Sequence, residues 1–366
     1  MVTPPPGAAP DRRWLAAVVL GGQGRYAAAA TLLGGLLADR TVPTALAAHA
    51  AVTLGAHRRQ LGGHAAARRW DALGLRLAVA ACRDGRDARP GACASLAGPG
   101  AGPSAAGSRA GLDAGSARID ALVGLAADAL GALDLTGARR LLAAADRLLA
   151  EVPPGLPAPA AGAAVPRPRA APGSPVPGFR VPGPPLPGFV APGFVAPGSG
   201  VAGSPVPASQ TWRPRIRAHW VLAELALLEG RAAEAVAPAE AALAAARGAG
   251  ALRHVLKSRI VLAVARAAAD PASVPDAVDE LTTARDEAAD HRLLPLVWPA
   301  ALAAADLLRH ADPQAESGMR HTAMHTVSVL KGYADPVGRR LMGESVWVPR
   351  VAVGSLTAPF GLSSPT

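Results

Sequence analysis

The chain has 366 residues, half of them apolar, with 40 Gly, 36 Pro, two Cys and a formal net charge of +10. That length and apolar fraction can bury a sizeable core without disulfide or metal staples, and two cysteines exclude a disulfide framework or a thiolate zinc site. With four Phe and two Tyr beside six Trp, the core has to be built mainly from Ala, Leu and Val.

At the N-terminus, Pro4 to Pro6 and Asp11-Arg12-Arg13 precede a short apolar run, Trp14 to Leu20, closed by Gly21 and Gly22. The run is far below the ~18 apolar residues that cross a bilayer, and no small-residue cleavage pattern follows it. A soluble cytoplasmic protein with no membrane partner is expected. Helical periodicity pairs this run with Tyr26 to Leu37, and Ala45 to Leu61 with Ala65 to Ala80, so residues 1–82 read as two helix pairs. In 83–115, glycine and proline remove the periodicity (Gly98-Pro99-Gly100, then Gly107, Gly111 and Gly115), giving a Gly-rich insertion loop. Residues 116–151 hold a third pair, Ile119 to Leu133 with Gly137 to Ala150, for which Ser116 is the expected N-cap.

Residues 152–211 contain 17 Pro and 10 Gly and read as a disordered linker, because so many positions cannot sustain a helix or a central strand. Its Pro-Gly-Phe turns hold Phe179, Phe189 and Phe194, three of the four Phe. Three more pairs fill 212–332: Arg215 to Leu228 with Ala232 to Arg247, Leu252 to Ala268 with Asp276 to Ala289, and Leu296 to Leu308 with Gln314 to Leu330. The tail, 333–366, places Val346, Val348, Val351 and Val353 around Trp347 and Pro349, and reads as an extended segment packed on the last helix.

The positive charge is uneven. Residues 1–82 carry nine Arg against three Asp, whereas 212–350 nearly balance, and only Lys257 and Lys331 are lysines. An Arg, Ala, Gly and Pro excess is what a GC-rich coding sequence produces, which weakens a nucleic-acid reading. The second reading is nonetheless a transcription-linked or nucleic-acid-associated regulator, with Arg58, Arg59, Arg68 and Arg69 as its footprint.

The most specific signal is a repeated turn. Gly24-Arg25-Tyr26-Ala27-Ala28-Ala29 returns 38 residues later as Gly62-Gly63-His64-Ala65-Ala66-Ala67, and again as Gly230-Arg231-Ala232-Ala233-Glu234-Ala235. Glycine ends one helix in a left-handed conformation and the small Ala five positions on lets the next helix close against it. The pattern resembles the tetratricopeptide repeat, in the divergent form found in bacterial regulators, although Asp71 stands where a large apolar residue belongs and the closing Pro is missing. The resemblance implies an all-α superhelical array of helix hairpins interrupted by the linker, a noncatalytic scaffold without cofactor or metal. Its first helices would line a concave groove that binds a protein or peptide, with His49, Val52 and Arg59 in the second pair and Arg217, Trp220 and Glu224 in the fourth facing the groove. Arginine and tryptophan there suit an acidic or C-terminal-carboxylate peptide.

Two rival constellations are weaker. Gly22-x-Gly24-x-x-Ala27 with Asp39 has the look of a dinucleotide fingerprint, but Gly34 and Gly35 follow at once and no strand-helix alternation does. His321 and His325 would share a helix face, yet the residues between them include no general-base Glu and no third metal ligand is evident.

Overall fold

A computed structural model of the chain describes residues 4–5, 7–84, 112–151 and 211–349. Among these there are thirteen α-helices, one 3-10 turn and no strand. In chain order they are α1 (Pro10–Gly22), α2 (Tyr26–Ala38), α3 (Thr44–Gln60), α4 (His64–Arg83), α5 (Ala114–Gly131), α6 (Leu135–Ala150), α7 (Trp212–Leu228), α8 (Ala232–Gly248), α9 (Leu252–Ala269), α10 (Val274–Asp290), α11 (Leu294–Leu308), α12 (Pro313–Tyr333) and α13 (Pro336–Glu344). All of the predicted 152–211 linker except Thr211, and most of the insertion loop, 85–111, lie outside the described residues. Cys82, buried at the end of α4, takes part in a disulfide.

Four helix starts follow from two residue types. Asp113, Asp134, Asp312 and Asp335 each accept a backbone N–H of the first turn, at 2.7, 2.8, 2.9 and 2.6 Å, satisfying donors that have no partner inside the helix. Pro313 and Pro336 follow two of these caps directly, where the missing N–H of proline costs nothing. Ser116 is not the cap of the third pair: it lies inside α5, and its N–H donates to the Asp113 carboxylate.

Six helix ends share one turn. At Gly24, Gly62, Leu133, Gly230, Gly250 and Arg292 the backbone has positive φ, between 57° and 82°. The next residue's N–H reaches back to a carbonyl five residues earlier, as in Arg25 to Leu20, Asp134 to Ala129 and Leu293 to Ala288. Gly24 and Gly62 also leave no room for a Cβ, which would run into Leu330 and into Ser345. Leu133 and Arg292 occupy the same left-handed position with a side chain, at a steric cost. Leu133 is 65% exposed and packs little, so Leu133→Gly is expected to stabilise the protein by about 0.5–1 kcal/mol after the added freedom of the unfolded chain is counted. Thermal unfolding checks this; an unchanged or lower midpoint contradicts it.

Each helix packs on its successor, and every odd-numbered helix through α11 also touches the next odd one: α1 on α3, α3 on α5, α5 on α7, α7 on α9 and α9 on α11. The chain on either side of 152–210 forms one stack, because α7 packs on both α5 and α6, with Val221 and Leu225 in one core with Val123, Leu142 and Leu149. Alanines such as Ala29, Ala67, Ala138, Ala242 and Ala284 are fully buried, and their small side chains bring helix axes close.

The stack then closes on its beginning. Val327, Leu330 and Ala334 of the last long helix region and Met342 of α13 share a core with Tyr26 and Leu61. The Arg58 guanidinium donates to both carboxylate oxygens of Asp335 at 2.7 Å. The segment expected to be an extended tail is therefore helical over Pro336–Glu344, and it packs on the α3–α4 turn at Gly62 and Gly63 through Leu341, Ser345 and Val348. An Asp-Pro start and only nine residues left no apolar period to reveal it.

Candidate functional site

Inside the closed stack lies a cavity of about 660 Å³. All six odd-numbered helices from α1 to α11 supply its wall, and of the even-numbered ones only α4 contributes, through its first residue, His64. Trp347 and Val348, after α13, complete the wall. Five of the six tryptophans line this space: Trp14, Trp212, Trp220, Trp298 and Trp347.

The wall repeats a motif. Trp14 donates its indole N–H to Thr53 at 3.0 Å and sits 5.6 Å from the His49 ring. Trp220 donates to Ser258 at 2.8 Å and stacks on His254 at 5.4 Å. Each member of the second set stands 205 or 206 positions after its counterpart, on α7 and α9 where the first is on α1 and α3. In both, histidine and hydroxyl are four residues apart on one helix face and hold a tryptophan from the neighbouring odd helix, which fixes an aromatic platform toward the cavity.

His49, Arg59, Arg217, Trp220 and Glu224 all line the cavity, whereas Val52 is fully buried and does not. Their chemistry differs from what the groove register implies. Arg59 donates to Asp128 at 2.7 Å, to the Gly124 carbonyl at 3.0 Å and to Asp71. Asp71 is completely buried in the place of an apolar residue, in a recess left by glycines: a Cβ on Gly55 or Gly124 would come within 2.8 or 2.6 Å of its carboxyl. Burial pushes Asp71 well above the ordinary carboxyl range against the pull of Arg59, while at Asp128 burial is outweighed by Arg59 together with hydrogen bonds from His64 and Asp71, which hold the pKa down. Asp71 Oδ1 and Asp128 Oδ2 are buried without a formal partner, and a proton on Asp71 shared with Asp128 satisfies both. The cluster is then neutral overall, one arginine for one carboxylate.

Arg217 pairs with Asp120, a buried residue of α5 that Arg213 also approaches at 3.6 Å. Burial works against the Asp120 charge, but Arg217 and then Arg213 outweigh it and keep it ionised. Lys257 pairs with Glu224 at 2.9 Å and lies 5.9 Å above the Trp220 ring. His49 is neutral because burial lowers its pKa, and its Nε2 is 3.1 Å from the Asp113 carbonyl.

Arg253, on the first turn of α9, was not among the residues the repeat register selects. It lines the cavity, its Nε is buried without a hydrogen-bond partner, and it has no carboxylate partner among the described residues. Burial and then crowding by Arg213 and Arg217 lower its pKa. The sequence did carry a signal: Arg253 directly precedes His254, the counterpart of His49.

The rival constellations dissolve in this fold. Val18 to Gly22 is helical and Gly24 is a turn, so the Gly22-x-Gly24 motif has no strand before it. His321 is exposed and His325 half-buried, and no group of three metal-ligating side chains occurs among the described residues. Of the arginines proposed for nucleic acid, Arg58 and Arg59 are held in internal ion pairs, leaving Arg68 and Arg69 exposed. No helix among the described residues is long and apolar enough to cross a membrane. No family model matches the chain, and no curated protein matches its sequence.

Proposed function

We propose that the chain is a noncatalytic, tetratricopeptide-like helical scaffold that binds an acidic segment of a partner protein in its inner cavity. One observation carries the reading: the wall gathers five tryptophans with Arg213, Arg217 and Arg253, and among the described residues the one carboxylate paired with any of these three guanidinium groups is Asp120, which Arg217 and Arg213 share. Unneutralised cations in a partly desolvated, aromatic-walled space favour an anion with an apolar body over water. The cavity volume is of the order that holds a short peptide stretch or a ligand of similar bulk. The nucleic-acid reading has less support, since two of its four arginines are already occupied within the protein.

The test compares two pools of fluorescein-labelled random nonapeptides, one rich in Glu and one rich in Lys. The acidic pool is expected to raise fluorescence anisotropy with added protein, to quench tryptophan emission, and to weaken with salt. The basic pool is expected to do none of these. Equal behaviour of the two pools, or binding without a change in tryptophan emission, contradicts the proposal.

A further inference from the structure

The positively charged side chains of the cavity are not equivalent. Lys257 has Glu224, Arg59 has Asp71 and Asp128, and Arg217 has Asp120 at hydrogen-bonding distance. Arg213 shares that same Asp120 only at 3.6 Å, and Arg253 has no acid at all among the described residues. A guanidinium with a buried, unbonded Nε is costly for a fold to keep unless something else supplies the missing acceptor. Among the described residues, nothing around it offers a negative charge. The hydroxyl of Tyr26 is engaged with Gln60 at 3.0 Å, and its proton is held firmly because burial raises its pKa. His57 and His254 are neutral through burial and the neighbouring arginines.

On one side of Arg253 is the end of α1, where a Cβ on Gly22 would rest in ordinary van der Waals contact with its Cδ at 3.6 Å and its Nε at 3.7 Å. On the other side His254 lies against Trp220 and, at 5.1 Å, against Trp212, so apolar ring surface adjoins the charge.

We infer that Arg253, assisted by Arg213, is an anion subsite that receives one carboxylate of the ligand while the ligand's apolar body lies on the Trp212 and Trp220 platform. The inference rests on the proposed cavity function and adds to it the position and valence of the recognised group: a single monoanion, bound by charge-assisted hydrogen bonds from a guanidinium fork. It also implies that Arg253 is kept for the ligand. Removing its charge relieves repulsion with Arg213 and Arg217 instead of breaking a pair.

Two dyes with the same aromatic body separate the subsite from the cavity. 1-Anilinonaphthalene-8-sulfonate carries one anionic group; N-phenyl-1-naphthylamine lacks it. Titrated into the full chain with tryptophan-to-dye energy transfer as the readout, the sulfonate is expected to bind at one site and tighter than the neutral dye. Arg253→Gln is expected to weaken the sulfonate about tenfold or more and to leave the neutral dye unchanged, with Arg253→Lys losing only part of the effect. The unfolding temperature of Arg253→Gln is expected to equal or exceed that of the unsubstituted protein. Two dyes that bind equally well, with neither affected by Arg253→Gln, overturn the subsite while leaving the cavity as a binding space; so does a large loss of stability in Arg253→Gln. If neither dye binds the unsubstituted protein, the cavity does not admit ligands and the proposed function falls with the inference.

Discussion

Arg59→Ala is expected to destabilise the protein by about 3–5 kcal/mol, the range for removing one partner of a buried ion pair. The side chain is the sole cation of a cluster that includes Asp71 and Asp128, both with fully buried carboxyl groups, and it also bonds the Gly124 carbonyl. Without it, the remaining carboxylate keeps its desolvation penalty and loses its compensation. The cluster joins α3, α4 and α5, so the loss is felt as cooperative unfolding of the N-terminal stack. Asp71→Asn supplies the discriminating comparison. Because burial keeps a proton on Asp71, an amide in its place still donates to Asp128, and the change is expected to cost less than about 1.5 kcal/mol. Urea unfolding of the two variants measures both values. Equal losses would mean that Asp71 is ionised and that the shared proton does not exist.

The same cluster shows where sequence reading reached its limit. The turns at Gly24, Gly62 and Gly230 were legible because glycine announces a left-handed residue, and the helices around them followed from apolar spacing. The equivalent turns at Leu133 and Arg292 were not, since nothing in a leucine or an arginine marks positive φ. Asp71 was visible as an anomaly, but its explanation lies in Asp128, a residue of the next helix pair, and in two glycines whose absent side chains make the recess. The groove register brought out His49, Arg59, Arg217, Trp220 and Glu224, all of which line the cavity. Register assigns a face, not a charge state. It cannot tell that Arg59 and Arg217 are neutralised by acids on neighbouring helices while Arg253 is not. Nor could a pattern of local periods foresee that the last helices fold back onto the first, which turns an open groove into a partly enclosed space.

Acidification is expected to destabilise the protein well before carboxylate titration would. His57 is buried beside Gly21 at the end of α1 and the Tyr26 ring, and burial, then Arg253, Arg213 and Arg58, lower its pKa from an ordinary 6.5 to about 3. His254 is shifted well below its ordinary value and His49 in the same direction, each first by burial. For a base whose folded pKa lies below its unfolded value, the unfolded chain takes up the proton first, so stability present above pH 6.5 is lost progressively as pH falls toward 3. At pH 5 His57 alone accounts for about 2 kcal/mol, from one and a half units at about 1.36 kcal/mol each. Asp120, Asp128 and Asp335, whose pKa values are held below the ordinary range, add their losses only lower, as pH falls through the carboxyl region. Asp71 acts in the opposite sense, because its raised pKa favours the folded state as acid is added, and it works against the fall. Thermal unfolding between pH 7.5 and 5 is therefore expected to show a midpoint that drops by several degrees, about 2–4 °C for each kcal/mol. His57→Asn, which stays neutral throughout, is expected to flatten that dependence whatever its own effect at pH 7.5. A midpoint that holds constant to pH 5 and falls only below 4.5 would assign acid lability to the carboxylates and remove the buried histidines from the account.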